Sequence, residues 1–163
     1  MAGLPSHDVP EEVTTDDWTL TVRGSVGRPR RFDADDLAAL PTASFTGDFD
    51  CEAGWIAKGL SWRGVRVGDL LDMVDPTPAS QFALVHAMDG DYACSFRLDR
   101  LEDAVLALEL DGEPLPTAHG GPARLVQPAD ADCWESVKWV DTIELTTEPP
   151  DDTAREIALG RVE

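Results

Sequence analysis

The stretch LALELDGEPLPTAHGGPARLVQP, residues 106–128, holds the densest group of side chains able to do chemistry. Apolar runs at its two ends read as strands, and glycines and prolines between them surround His119 and Arg124. A loop of that composition presents backbone and side chains to a ligand. Gly120 and Gly121 permit close backbone approach, Arg124 offers a planar fork that grips a phosphate, and His119 can donate to an oxyanion or a ring heteroatom. The same letters would also suit a plain glycine-rich turn carrying a surface arginine. Three further positions matter. Cys51 is a soft thiolate ligand or a small buried hydrophobe. Tyr92, the single tyrosine, is a hydroxyl for a substrate oxyanion or a strand residue facing solvent. Lys138, one of two lysines with Lys58, is a phosphate partner or a side chain snorkelling from a strand edge.

Taken together, these segments resemble the molybdopterin oxidoreductase domain of the sulfite oxidase family. The family pattern L-A-x-E-x-D/N-G-x-P-L-P-x-x-H-G-x-P-x-R-L-V-x-P matches residues 106–128, and its later S/H-V-K-W element matches SVKW at 136–139. GDFDCEAGWIAKGLSWRGVRVGDLL, residues 47–71, is similar to the C-x-x-G-W, W-x-G-V and D-L-L segment of small, stand-alone prokaryotic members. MDGDYACSF, residues 88–96, resembles an acidic residue followed by Y-x-x-S. The resemblance implies an α+β domain with a mixed β-sheet and few short helices, and a molybdenum-molybdopterin cofactor. It implies Cys51 as the metal ligand, and His119, Arg124, Ser136, Val137, Lys138 and Asp89 as cofactor contacts, with Asp91 an alternative to Asp89. Tyr92 would stand beside the metal as the catalytic residue. The implied chemistry is oxygen-atom transfer on a small oxo substrate, with electrons exchanged with a separate redox protein. Sulfite-oxidising members follow the ligand cysteine with G-N-R-R, whereas this chain has no arginine between Cys51 and Arg63. A sulfoxide-type substrate is therefore as fitting as sulfite. The segment ADADCWE at 129–135 is one residue longer than the family pattern.

The elements that must position these residues read as follows. WTLTVRGSV at 18–26 alternates apolar and polar residues, the period of a half-buried strand. DADDLAAL at 33–40 opens on N-cap residues and stops at Pro41, and VRVGDLLDMV at 65–74 stops before Pro76, so both read as short helices. The runs 82–88, 92–98, 105–110, 123–128 and 136–145 read as strands bounded by turn residues. Helices that do not alternate with strands fit a mixed α+β domain better than a doubly wound parallel sheet. One domain over 17–146 is expected, with tails at 1–16 and 147–163. Trp55 and Trp62 could wall the pocket and exclude water but read mainly as core, as does His86 on its apolar strand, while Cys94 and Cys133 match no ligand position.

Composition bounds the partners. With 32 acidic against 13 basic residues the net charge is -19, which excludes nucleic acid and anionic membrane as natural partners. Scarce lysine beside abundant aspartate reads as a salt-adapted surface, halophilic and haloarchaeal in type. Three cysteines without C-x-x-C pairs argue against a disulfide framework or structural zinc. The first residues lack a basic stretch followed by an apolar one, and Arg30-Arg31 leads into FDADDL, so the cytoplasm is expected. No haem or iron-sulfur motif is present. Two rival readings are a non-catalytic molybdopterin-binding or carrier module and a structural or interaction protein on the same fold.

Overall fold

The computed structural model describes residues 18–50, 56–88, 92–126 and 137–150, without the side chains of 45–50, 56–60 and 118. In chain order the elements are β1 (Leu20–Gly24), β2 (Arg30–Phe32), α1 (Ala34–Ala38), β3 (Thr42–Asp50), β4 (Ile56–Arg66), α2 (Val67–Val74), β5 (Phe82–Ala87) and β6 (Ala93–Arg97). There follow α3 (Leu98–Leu101), β7 (Val105–Leu110), β8 (Glu113–Pro114), a 3-10 turn (Thr117–His119), β9 (Arg124–Val126) and β10 (Val140–Thr146). Cys51, Asp89, Asp91, Ser136, Trp55 and Cys133 lie outside the described residues.

Among the described residues the strands form two five-stranded sheets. The first has the order β2-β1-β10-β5-β6, and the second runs β3-β4-β7-β8 with β9 on β7. β1 and β10 pair in parallel, while their other neighbours are antiparallel, so the first sheet is mixed. The expected α+β class with few short helices is what the chain adopts.

The helices form for local reasons and are held by the core. In α1 the Asp36 N–H donates to Asp33 Oδ1 at 2.8 Å and the Asp33 N–H donates to Asp36 Oδ2 at 3.0 Å, a reciprocal cap at the N-terminus. Val67, Leu70, Leu71 and Val74 make one buried stripe on α2. Its first N–H groups donate to Ala104 O and Glu102 O just beyond α3, satisfying donors that no side chain caps.

The main core lies between the inner face of the first sheet, the helices, and the face of β7 and β9 that carries Leu106 and Leu125. Trp62, Val105, Ala107, Leu110, Leu115 and Val126 form a smaller cluster on the other face of the second sheet. β7 is therefore buried on both faces over Val105–Ala107, which explains the apolar run with which it begins.

Three sequence readings need correction. The segment 47–71, read for its motif, contains most of the β3–β4 hairpin, the longest ladder of the second sheet. The run 136–145 is not one strand: β10 begins at Val140, because Trp139 adopts a left-handed backbone with φ of 54°. His86 lies half-exposed on the outer face of the first sheet, its Nε2 3.3 Å from Glu144 Oε1, and is not a core residue.

Candidate active site

The glycine-proline loop is built by a dense set of backbone hydrogen bonds. The His119 and Gly121 N–H groups both donate to Pro116 O, at 2.9 and 3.0 Å, and the Gly120 N–H donates to Thr117 O at 3.1 Å. The Gly121-Pro122 peptide bond is cis. The segment before β10 then ties itself across the loop. Trp139 N–H donates to Gly120 O, its indole N–H donates to Thr117 O at 2.7 Å, and Val140 N–H donates to Ala123 O. On the same side Leu125 N–H donates to Val137 O at 2.9 Å.

These bonds bring Lys138 and Arg124 to one point. A Cβ built on Gly120 would stand 3.0 Å from Arg124 Cδ and 3.0 Å from Lys138 Cγ, so both cationic arms pass over a backbone that only glycine leaves bare. Gly120 itself has φ of 111°, a conformation that L side chains rarely adopt. Gly121 is packed more tightly still, with its Cβ position 2.0 Å from Leu115 O.

Arg124 is 3% exposed, the one charged residue in the buried set of the described residues. Its Nη1 donates to His119 O at 3.0 Å, and its guanidinium carbon stands 5.3 Å from the centre of the Trp62 ring. Burial pushes its pKa down to about 10, against an opposing pull from Tyr92. Arg124 is thus no surface arginine on a plain turn. Tyr92, 7% exposed, is packed in the main core and does not face solvent, and its influence on Arg124 places the two in one electrostatic neighbourhood.

Lys138 has its Nζ buried 5.7 Å from the centre of the Trp139 ring, and His119 has its Nδ1 buried. Lys138 is therefore drawn in over the loop and does not snorkel from a strand edge. Val137 is fully buried, and its carbonyl is engaged by Leu125. The structure thus brings together His119, Arg124, Val137 and Lys138, with Tyr92 buried in the adjoining main core. Trp62, expected mainly as core, is core and a neighbour of Arg124 as well. Its spacing from Arg124 in sequence offered no signal of that contact. Arg63 and Arg97, the arginines nearest in sequence to Cys51 and Tyr92, are surface groups. Arg63 is 62% exposed and stands 3.9 Å from Glu109, and Arg97 is 74% exposed and stands 3.3 Å from Asp99.

A buried guanidinium and a buried amine crossing one bare glycine suit an anionic ligand with an extended phosphate arm. Residues 6–154 match the family model described as the oxidoreductase molybdopterin binding domain. The chain belongs to that family. As a molybdopterin-binding oxidoreductase domain of the sulfite oxidase family it is an enzyme module that binds the molybdenum-molybdopterin cofactor. Arg124, Lys138 and Gly120 fit that group, because they assemble positive charge where the backbone is open.

Named relatives widen the picture. The domain is 32% identical over 147 residues to the uncharacterized oxidoreductase YuiH of Bacillus subtilis, covering 89% of this chain and 73% of that protein. It is 30% identical to the protein-methionine-sulfoxide reductase catalytic subunit MsrP of Pseudomonas syringae, covering 90% of this chain and 48% of MsrP. The crystal structure of the sulfane dehydrogenase SoxCD from Paracoccus pantotrophus superposes with a TM-score of 0.75 at 25% identity, covering 84% of this chain and 40% of that one. The domain thus spans about half the length of MsrP and less of the SoxCD chain. Among the described residues no helix is long and apolar enough to cross a membrane.

Proposed function

We propose that this domain carries out oxygen-atom transfer on a small, uncharged oxo substrate of the sulfoxide type, exchanging electrons with a separate redox protein. The observation that carries the reading is the meeting of Arg124 and Lys138 over Gly120. Arg124 and Lys138 hold the phosphate of the cofactor, His119 donates a hydrogen bond to it, and Val137 lies in the backbone that frames them. Ser136 and Asp89 complete the contacts, and Cys51 supplies the thiolate to molybdenum. When bound, the cofactor supplies a two-electron redox couple suited to moving an oxygen atom. The Tyr92 hydroxyl donates to the substrate oxygen, a role that its burial supports.

An uncharged substrate is favoured because Arg63 and Arg97 sit in exposed ion pairs, so neither offers a buried positive charge to an anion such as sulfite. The likeness to MsrP, a protein-methionine-sulfoxide reductase catalytic subunit, supports the same choice. The -19 charge and two lysines support a salt-rich cytoplasm, of haloarchaeal type, as the protein's setting.

The test uses protein purified from a host that makes molybdopterin. Molybdenum and pterin are each expected near one per chain, and dye-linked turnover should be fast on small sulfoxides and slow on sulfite. At matched molybdenum content Tyr92→Phe should turn over ~10² to 10³ times more slowly, the usual cost of losing a buried catalytic hydrogen bond. Cys51→Ser should lose the thiolate ligand and keep part of the pterin. Equal rates for Tyr92→Phe and the parent would remove Tyr92 from the chemistry, and efficient sulfite turnover would refute the uncharged substrate.

A further inference from the structure

The geometry points to Trp62 as the positioning residue for Arg124: its ring face holds the guanidinium so that the fork is presented to the cofactor's phosphate. This inference rests on the reading of Arg124 as a phosphate contact and adds a residue to which that reading gives no role.

The argument begins with the register. β4 and β9 lie on either side of β7, with Arg124 opposite Ala107 and Trp62 opposite Leu110. The β4–β7 register shifts between Arg63 and Gly64, which face Glu109 and Ala107, so Leu108 is an extra residue on β7. That bulge changes the phase of the strand and brings Leu110 onto the face that already carries Val105 and Ala107. Trp62 arrives on the same face, and the small Ala107 side chain leaves room for the arginine to reach across β7 toward it.

The contacts of the guanidinium include an edge bond, Nη1 to His119 O at 3.0 Å, and the Trp62 ring, 5.3 Å from the guanidinium carbon to the ring centre. An arginine has four side-chain torsions, and a flat aromatic face beside the group restricts the tilt of its plane. The contact is also worth more here than on a surface, because Trp62 is fully buried and Arg124 nearly so, and water does not screen the attraction between ring and cation. Lys138 lies by Trp139 in a similar way, but Trp139 also bends the backbone and donates to Thr117, so its replacement would mix two effects. Trp62 gives the cleaner experiment.

Full-length Trp62→Phe, Trp62→Leu and Arg124→Met, together with the double variants, are purified from a cofactor-producing host. The rate of pterin loss on dialysis is followed, with thermal melting as the check on folding. Trp62→Leu should lose pterin roughly thirtyfold faster than the parent, the factor that corresponds to a desolvated cation–π contact. Trp62→Phe should fall between them, because a phenyl ring keeps a weaker face. In the Arg124→Met background Trp62→Leu should add nothing, since a residue that acts through Arg124 has nothing left to hold. Additive losses in the double variant, or pterin retention in Trp62→Leu equal to the parent, would overturn the inference while leaving Arg124 as a phosphate contact. Full retention in Arg124→Met would instead overturn the reading beneath it. Where Trp62→Leu does not fold, pyrophosphate titration of folded apoprotein decides the question. Affinity must drop in Trp62→Phe and must not drop further in Trp62→Phe combined with Arg124→Met than in Arg124→Met alone, and any other pattern refutes the role.

Discussion

Asp141 and Arg124 are charged groups that the fold withdraws from water, and each carries the consequence in its proton affinity. Burial raises the Asp141 pKa above its ordinary 3.8, although Thr142, His86 and Arg23 all pull the other way. A carboxyl whose folded pKa lies above its unfolded one makes the ionised form costly in the native state. That cost is fully present above the folded pKa and disappears as the pH falls below 3.8. Asp141→Asn should therefore raise the melting temperature at neutral pH, with the gain shrinking to nothing in acid. Melts recorded across that range check it, and a variant less stable than the parent at pH 7 would refute it. For Arg124 the sign is reversed. Its folded pKa of about 10 is below the ordinary arginine range, so the charge costs stability at every pH below about 10. A bound phosphate offsets that cost, which gives a binding site reason to keep a buried cation that stability alone would discard.

At the scale of elements, the loop between β8 and β9 is a folded unit, tied at both ends and crossed by the segment before β10. Its two glycines answer to different neighbours. A methyl group on Gly121 would collide with the Leu115 carbonyl oxygen, which belongs to the backbone and cannot step aside. A methyl group on Gly120 would meet the side chains of Arg124 and Lys138, which can, at the expense of their placement. Gly121→Ala should thus cost the fold ~2 to 4 kcal/mol in denaturant melts, as expected for a steric clash at a buried site. Gly120→Ala should cost ~1 to 2 kcal/mol from its positive φ and lose pterin far out of proportion to that. Retained pterin in folded Gly120→Ala protein would show that the two cationic arms do not need their bare backbone.

Charge decides how the whole molecule answers to its solvent. A net charge of -19 on 163 residues is self-repulsive in dilute buffer, and the acidic surface carries few lysines to offset it. The screening length falls from ~8 Å at physiological ionic strength to ~3 Å at 1 M, which weakens repulsion between exposed charges. Melting temperature should rise steadily from low to molar potassium chloride. A steady fall would reject the salt-adapted surface. Exposed pairs such as Arg97 with Asp99 add little to this balance, because water and salt screen them.

Much of this was legible in the chain alone. The alternating and apolar runs located β1, β5, β6, β7 and β9 within a few residues, and the caps and prolines bounded α1 and α2, because period and termination are local properties. The loop residues His119, Gly120 and Arg124 were legible for the same reason, as their chemistry lies in type and spacing. The β3–β4 hairpin was not, since a segment read for its cysteine motif shows little alternation, and its strands are defined by pairing with each other and, for β4, with β7. Nor was the break at Trp139: a strand pattern continues through it, and it is tertiary bonds, among them those from residues 139 and 140 to Gly120 and Ala123, that hold the backbone in its left-handed turn. That turn draws Lys138 inward to meet Arg124. The partnership of Trp62 with Arg124 lay furthest from view. It depends on a one-residue bulge in β7, and a bulge changes which side chains share a face without leaving a mark in residue type. The sequence determined which groups can do chemistry, because that belongs to single side chains. Only the tertiary structure decided which of them meet, because strand register and the burial of charge are properties of several segments packed at once.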